Sequence, residues 1–427
     1  MKQYKFKNGL VLLYEKNKYG NLDSFHVNVN TGSLLEKDGE YGINHLVEHL
    51  IFKSTKNRTT QQIATELEIT GANVNAWTNY TQVRFYFDVL PKYLEKCAEI
   101  YADMLFNKDI KLAEFKMERD VVCQELAMYE DHPDAINEEN WWKQFYDWLP
   151  VGGTIESVKK ITLGKVNRFI EQYYQPKNMI ISVCSKLPFC KVKKIVAKYY
   201  GVVENSENTI DTHDGSWDLV NYQGKRSFIP SDLFNKKVYK KKKKTSQVQI
   251  AYGYDMKNFN IEFVNFLNGV LSDGLSSILY REIREKYGLC YGFHVDTDAY
   301  FNKDVMDDYN LVSLIKASTE EQNVDRFCKI FESVMCDVKS GDLILDSDIE
   351  RVKNAYESKE IKAEDVASYN HYRYNCKCVD SLSLEKEKKR ILKMSVTEIK
   401  SHINYMFEDS NFNVSMLGNI KTGKKTK

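Results

Sequence analysis

The sequence predicts an α+β protein built from two similar domains, and three observations lead to this prediction. Its 427 residues exceed what a single hydrophobic core usually organises. Segments in which apolar and polar residues alternate, which is typical of strands, are interspersed with segments of helical periodicity. The order of these elements in the first half returns in the second half with little residue identity. We therefore expect a first domain at 1–205, a linker at 206–244 and a second domain at 245–427.

Local signals predict the elements of the first half. Asn8-Gly9 favours a tight hairpin turn, and Thr59 is suited to the N-terminus of a helix. Pro91 suits the first turn of another helix, where its missing N–H costs nothing. The predicted strands are 10–14, 24–29, 73–78, 83–89 and 178–183, and the predicted helices are 42–52, 60–69, 91–106, 112–129 and 166–173.

The second half follows a change in composition. Between 206 and 244 Asp, Asn, Ser and Lys dominate, and the stretch ends in five lysines, 240–244. A solvated linker is the favoured interpretation of this run, and binding of a polyanion is the alternative. Beyond it we predict strands at 245–252, 291–295 and 412–417 and helices at 261–271, 276–286, 321–338 and 347–360. The strand 412–417 occupies the place near the domain end that 180–183 has in the first half.

The composition argues against several classes of partner. Lys and Arg number 61 against 60 Asp and Glu, a net charge of +1, so we expect no nucleic-acid partner. No apolar run approaches the length that spans a bilayer, and the N-terminus lacks a hydrophobic signal core, so we expect no membrane insertion. The nine cysteines lack framework spacing, and Cys123 and Cys184 lie in apolar surroundings. These features predict a reducing cytoplasm.

The segment 42–52 carries a metal-binding pattern. On a helix His45 and His49 leave the same face about one turn apart, the spacing at which two imidazoles can share a tetrahedral zinc. Glu48 lies at the edge of that face, within reach of a water molecule at the metal. The order His-x-x-Glu-His is an inverted zinc-hydrolase motif. The residues alone also permit another interpretation, in which this trio consists of hydrogen-bonded core residues.

A second helix offers carboxylates for the same site. Glu118, Val122 and Glu125 fall on one stripe of the predicted helix 112–129. A buried stripe with two carboxylates needs a cation. Glu125 is therefore the candidate third zinc ligand, and Glu118 is the candidate carboxylate that orients a ligand. The spacing is equally compatible with both carboxylates facing solvent on an ordinary charged helix.

Together these segments resemble the pitrilysin-like (inverzincin, M16) metallopeptidases, a family that includes insulysin and the mitochondrial processing peptidase. Residues 42–55 are similar to the family's zinc helix and the turn after it. Glu125 stands 76 residues after His49, the family's spacing for the third ligand, and Glu118 matches its secondary acidic residue. Residues 71–78 are similar to the family's active-site edge strand, and residues 173–179 to the segment that closes its first domain. Residues 271–277 and 284–291 are similar to the segments that carry its Arg and Tyr pair.

The resemblance implies a fold and an activity. Each domain would be a mostly antiparallel sheet with helices packed on one face, and the protein would be a zinc endopeptidase. His45, His49 and Glu125 would bind Zn²⁺, while Glu48 would accept a proton from the attacking water and return it to the leaving amine. Arg284 and Tyr291, seven residues apart, would contact the substrate carbonyl.

The resemblance also implies the substrate and the partner. A peptide or unfolded polypeptide would pair as a strand with Asn75, Ala76 and Trp77. Trp77 would shape a side-chain pocket, although a core position is equally compatible with the sequence. Two such domains form half of the family's closed chamber, so we expect a clam-shell homodimer or a heterodimer with a related subunit. The alternative function is a non-catalytic subunit that captures or presents peptides.

Overall fold

The computed structural model describes residues 1–146, 148–209, 237–256, 260–301, 309–375, 381–407 and 412–420. These residues form two compact units, each with one β-sheet. The first unit lies within Met1–Met128, Leu149–Ser227 and Ile361–Leu384, and the second within Tyr129–Trp148, Phe228–Glu360 and Glu385–Lys427. The prediction of an α+β fold with two similar sheet-and-helix domains is confirmed.

The described strands are β1 (Lys2–Lys5), β2 (Val11–Lys16), β3 (Asp23–Val29), β4 (Asn73–Thr78), β5 (Val83–Val89), β6 (Met179–Ser185), β7 (Val238–Lys242), β8 (Val248–Asp255), β9 (Phe293–Phe301), β10 (Tyr309–Thr319) and β11 (Phe412–Gly418).

The described α-helices are α1 (Ile43–Ile51), α2 (Thr60–Ile69), α3 (Leu94–Phe106), α4 (Leu112–Glu130), α5 (Pro133–Tyr146), α6 (Ile155–Lys159), α7 (Leu163–Tyr173), α8 (Phe189–Tyr199), α9 (Ile261–Ser272), α10 (Val324–Ser340), α11 (Asp346–Ser358), α12 (Ala363–Asn375), α13 (Leu384–Lys393) and α14 (Val396–Met406), and a π-helical turn spans Tyr280–Glu285.

The two sheets have the same topology. The first has the strand order β1-β2-β6-β3-β5-β4 and the second the order β7-β11-β8-β10-β9. When β1 is left out, the strands β2, β6, β3, β5 and β4 of the first sheet correspond in order to β7, β11, β8, β10 and β9 of the second. In each sheet the first two of these shared strands pair in parallel and the rest pair antiparallel. The duplication predicted from element order is therefore present, with 412–417 in β11 at the position of β6.

Most predicted elements lie where local signals placed them. Gly9 adopts a φ of +89° in the turn before β2, and Thr59 caps α2 by accepting from the Gln62 amide while Gln62 bonds back to Thr59. Pro91 begins a 3₁₀ turn that leads into α3. These elements match because their starts depend on neighbouring residues, which the sequence displays directly.

Each unit includes one helix from the other half of the chain. α12 packs on β6, β3 and β2 of the first sheet, and α5 packs on β11 and β8 of the second. The predicted division at 206–244 stays a prediction. It did not include the packing of α5 and α12 in the unit of the opposite half. Both cover a sheet face of polar or small residues: Trp141 donates to the Asn413 carbonyl, and Ser182 donates to the Ala367 carbonyl.

Three of the five lysines, Lys240 to Lys242, lie exposed on a strand. Lys240, Lys241 and Lys242 belong to β7, which pairs in parallel with β11 at the edge of the second sheet. Residues 210–236 of the predicted linker lie outside the described residues. Lysines on an exposed edge strand discourage pairing with other chains, so the run has a structural role that composition alone did not indicate.

Substituting Gly253 with Ala tests how closely α5 fits its sheet. The added Cβ would lie 2.0 Å from Trp141 Cζ2, so the helix or the indole would have to move. Overpacking of this kind costs about 1–3 kcal/mol, and we expect a lower midpoint of thermal unfolding. Gly164→Ala is the control, because its Cβ would meet only Thr162 Oγ1, at 4.0 Å. Equal midpoints for Gly253→Ala and the wild type would contradict this packing.

Candidate metal centre and active site

The start of α1 is held by a buried carboxylate from outside the helix. The first residues of α1 carry no side-chain cap of their own, since Gly42 occupies the N-cap position. Glu36 supplies the missing acceptor: its Oε2 accepts from the Gly42 amide at 2.8 Å and its Oε1 from the Asn44 amide at 2.9 Å. An anion at this end also interacts favourably with the helix dipole. The helix that carries both histidines is thus anchored at its N-terminus.

Two glycines allow the loop 149–153 to pass close to α1. Gly42 has a φ of +89°, and a Cβ there would lie 2.3 Å from the Gly152 carbonyl oxygen. A Cβ on Gly152 would lie 3.0 Å from His45 Nδ1 and 2.7 Å from Leu126 Cδ2. Neither position has space for a larger side chain without movement, so this loop buttresses one side of the His45 ring.

The structure brings together the three predicted metal ligands. His45 Nε2 lies 3.1 Å from His49 Nε2, and Glu125 Oε2 lies 3.6 Å from His45 Nε2 and 3.3 Å from His49 Nε2. Zinc bonds to nitrogen and oxygen of about 2.0–2.1 Å in a tetrahedron put ligand atoms about 3.3 Å apart. The triangle therefore has the size of one face of a zinc tetrahedron, and these residues could hold a metal ion.

The charges around the site also suit a cation. Glu48, Glu118 and Glu125 all act electrostatically on His49. Within the described residues no Lys or Arg pairs with Glu48 or Glu125, whereas Glu118 pairs with Lys53. Partly buried carboxylates without a permanent cation are costly, and a divalent metal would remove that cost.

The protonation of the two histidines differs because their surroundings differ. Burial lowers the pKa of His45 below its ordinary value, which favours the neutral imidazole that a metal requires. Burial also acts to lower the pKa of His49, but the carboxylates of Glu125, Glu48 and Glu118 outweigh it and raise that pKa. The hydrogen bond from His49 lowers the pKa of Glu125.

Glu118, the candidate orienting carboxylate, lies behind His49. Its Oε2 is 3.4 Å from His49 Nδ1, and its side chain is 8 % exposed. Its other oxygen, Oε1, is 2.5 Å from Lys53 Nζ. The nitrogen of His49 that faces Glu118 is the one opposite the ligand triangle. This is the arrangement in which a carboxylate fixes the ring of a metal-binding histidine.

Glu48 is held by the edge strand. Thr78 on β4 donates to Glu48 Oε2 at 2.5 Å, which fixes one carboxylate oxygen and directs the group. Burial raises the pKa of Glu48, and the hydrogen bond from Thr78 opposes that rise. Glu48 is therefore a positioned carboxylate beside the ligand triangle.

The three predicted substrate-binding residues lie on β4, at the edge of the first sheet. Asn75 is exposed, and its Oδ1 accepts from the Ala76 amide at 2.8 Å. Because side chains alternate along a strand, Trp77 points to the sheet face opposite Thr78. There its ring lies 4.7 Å from the Arg84 guanidinium. Trp77 is half-buried and borders the other face of the sheet, so a pocket that it shapes would lie away from Glu48.

Arg284 and Tyr291 lie together in the second unit. Arg284 donates to the Tyr291 carbonyl oxygen, and its guanidinium stacks 4.6 Å from the Tyr291 ring. The Tyr291 side chain is 80 % exposed. The predicted pairing of these two residues is present, and their role toward a substrate stays a prediction.

Besides Thr78 and Lys53, three residues around the centre had no role in the sequence-based prediction. They are Glu36 at the start of α1, Lys108 at its end and Glu114 on α4, which accepts from the Ser54 and Thr60 hydroxyls at 2.5 and 2.8 Å. A helix that starts at glycine without a capping side chain needs an acceptor for its first backbone amides. Residue spacing does not show which side chain elsewhere in the sequence provides that acceptor.

Comparison with known proteins identifies the family. The model of the insulinase peptidase family M16 matches residues 11–157, and that of the peptidase M16 inactive domain matches residues 160–356. The chain belongs to the peptidase M16 family. No helix among the described residues is long and apolar enough to cross a membrane.

Relatives in the M16 family carry zinc-protease descriptions. The chain is 28 % identical over 313 residues to an uncharacterized zinc protease of Rickettsia bellii, covering 71 % of this chain and 72 % of that protein. It is 30 % identical over 204 residues to the probable mitochondrial-processing peptidase subunit beta of Schizosaccharomyces pombe, covering 47 % and 45 %. A Helicobacter pylori protease structure, 21 % identical, covers 97 % of this chain and 98 % of its own with a TM-score of 0.77, which supports the fold.

The buried Lys108 leads to a pH-dependent prediction. Its Nζ donates to the carbonyls of Ile51 and Lys53 at 2.8 and 2.6 Å, and burial lowers its pKa from 10.5 to about 7. Between these values the unfolded chain binds a proton that the folded chain lacks, so stability rises with pH. Relative to Lys108→Met, the free energy of unfolding of the wild type should increase by about 2 kcal/mol from pH 7 to pH 9.

Chemical denaturation at several pH values measures this difference. Lys111→Met is the control, since the Lys111 side chain is 60 % exposed and pairs with Asp109 at the surface. We expect the difference in the free energy of unfolding between the wild type and Lys111→Met to stay constant from pH 7 to pH 9. If the difference in the free energy of unfolding between the wild type and Lys108→Met is also independent of pH, the prediction is wrong.

Proposed function

We propose that this M16 protein is a zinc-dependent endopeptidase that hydrolyses peptides or unfolded polypeptides. The observation that carries the proposal is the triangle of nitrogen and oxygen atoms from His45, His49 and Glu125, with sides of 3.1, 3.3 and 3.6 Å. These residues would hold the zinc ion. When bound, zinc would polarise the scissile carbonyl and lower the pKa of a water molecule to about 7.

Glu48 is the proposed general base and acid. Thr78 holds one of its carboxylate oxygens, so the other can accept a proton from the attacking water and deliver it to the leaving amine. This role needs a carboxylate at a fixed position rather than a mobile one. The contact between α1 and β4 provides that position.

The edge strand β4 is the proposed site of substrate pairing. A strand with only one neighbour in the described sheet has backbone groups available to an extended peptide. The bond from the Ala76 amide to Asn75 Oδ1 would be exchanged for one to the substrate. Backbone pairing selects for chains that can become extended, which favours short peptides and unfolded segments over folded proteins.

We infer that the partner is a second copy of the chain, with a related subunit as the alternative. The zinc ligands and the Arg284–Tyr291 pair are present in one chain, so a homodimer needs no further gene product. Tyr291 is well exposed and could contact a substrate carbonyl. Sedimentation of the purified protein would distinguish a dimer from a monomer that awaits another subunit.

The Glu48→Gln variant tests the proposed reaction. We expect cleavage of an internally quenched peptide library to fall by about 10²–10⁴-fold, because the amide cannot accept the proton. Zinc content should stay close to that of the wild type, since the three ligands are unchanged. Glu68→Gln, at an exposed position on α2, is the matched control and should retain full activity. Removing zinc with a chelator should abolish cleavage, and adding it back should restore cleavage.

The outcomes separate the alternatives. Undiminished cleavage by Glu48→Gln would refute the assigned base. A wild-type protein that binds zinc but cleaves no peptide would favour the non-catalytic or partner-dependent subunit. A wild-type protein that binds no zinc would refute the proposed metal centre.

A further inference from the structure

We propose that Lys53 is a positioning residue of the metal centre and acts on His49 through Glu118. The proposal rests on the proposed function in one respect, namely that the centre binds a divalent metal. Lys53 lies in the turn just after α1, and its ammonium is 2.5 Å from Glu118 Oε1. The second oxygen of the same carboxylate is 3.4 Å from His49 Nδ1. Lys53 is thus connected to a ligand by one intervening side chain.

Glu118 can orient His49 only if its own carboxylate is fixed. An imidazole that binds a metal through one nitrogen usually donates its other N–H to such a partner. The Glu118 side chain is 8 % exposed, and a buried carboxylate needs a cation or hydrogen-bond donors to offset the cost of its burial. Among the Lys and Arg side chains that the structure describes, Lys53 is the one paired with it. Lys53 therefore determines which way this carboxylate faces.

Hydrogen bonds also fix the backbone turn that carries Lys53. Its carbonyl oxygen accepts from Lys108 Nζ at 2.6 Å. The next residue, Ser54, donates its hydroxyl to Glu114 Oε1 at 2.5 Å. Glu114 and Glu118 stand four residues apart on α4, on the same face of the helix. The Lys53 ammonium therefore extends toward Glu118 from a constrained backbone, whereas the ammonium of an exposed surface lysine is mobile.

The pair differs from an ordinary surface ion pair in the same unit. Glu156 on α6 and Lys160, the residue just after that helix, approach to 2.6 Å, but the Lys160 and Glu156 side chains are 66 % and 81 % exposed. The Lys53 side chain is 17 % exposed. Exposed pairs contribute little to position or stability. Lys160→Met therefore removes a Lys–Glu pair of nearly equal length without touching the metal centre, and it is the matched control.

Metal affinity is the measurement that tests the role. Competition with a chromophoric chelator gives the Zn²⁺ dissociation constant of the wild type, Lys53→Met, Lys53→Arg, Glu118→Gln, the double variant Lys53→Met/Glu118→Gln and Lys160→Met. We expect about 10–100-fold weaker binding for Lys53→Met and for Glu118→Gln. Lys53→Arg should retain most of the affinity, and Lys160→Met all of it. In the Glu118→Gln background, Lys53→Met should cause no further loss, because Lys53 acts through Glu118.

A spectroscopic signature and a folding check accompany the affinities. Substitution with Co²⁺ reports ligand geometry through its visible absorption, and we expect a changed band for Lys53→Met but not for Lys160→Met. Thermal unfolding of the metal-free proteins verifies that each variant is folded. Should Lys53→Met fail to fold, Lys53→Gln, which keeps a hydrogen-bond donor without the charge, takes its place.

Two results would overturn the assignment while leaving the proposed function intact. One is wild-type affinity in Lys53→Met, and the other is the same loss in both backgrounds, which would mean that Lys53 acts independently of Glu118. Absence of metal binding by the wild type would overturn the proposed function and the role of Lys53 together.

Discussion

The contact between α1 and α4 is the constraint on which the candidate metal centre depends. α1 supplies His45 and His49, and α4, which begins 63 residues after His49, supplies Glu125. Along one face of α4, Glu114 accepts a hydrogen bond from the turn after α1, Glu118 lies 3.4 Å from His49 Nδ1, and Glu125 completes the triangle. A shift of α4 by one residue would break all three contacts. Glutamate side chains of α4 therefore both set the register of the two helices and supply the candidate third ligand.

Both ends of α1 are satisfied by side chains from elsewhere in the first unit. Glu36 accepts from the first amides, and Lys108 donates to the carbonyl of Ile51 and to that of Lys53 just beyond it. These groups meet the hydrogen-bonding needs that every helix end leaves open. Thr78 adds a lateral contact by holding Glu48. A short, buried helix is thus fixed at both ends and on one side, which gives the two histidines and the carboxylate defined directions.

The centre could be predicted in part because some of its information is local. His45, Glu48 and His49 lie within one helical turn and a half, so their spacing shows the shared face directly. Glu125 lies on another helix, and only the family spacing favoured it over a solvent-facing residue. The helices α5 and α12 escaped prediction because they cover polar sheet faces. Their buried residues include Asn137 and Asn370, so they lack the apolar stripe from which a helix is recognised.

The second unit keeps the architecture of the centre without its chemistry. In the first unit Thr78 on β4 bonds to Glu48 on α1, and in the second Asn268 on α9 donates to Thr297 on β9 at 2.9 Å. β9 and α9 hold the places of β4 and α1 in the repeated topology. Aligning these contacts puts Asn265 and Gly269 at the positions of the two histidines. An amide cannot accept a proton as a carboxylate does, and glycine offers no ligand. The helix-to-strand contact therefore stabilises both units, and in the first unit it also directs the carboxylate of Glu48, the proposed general base.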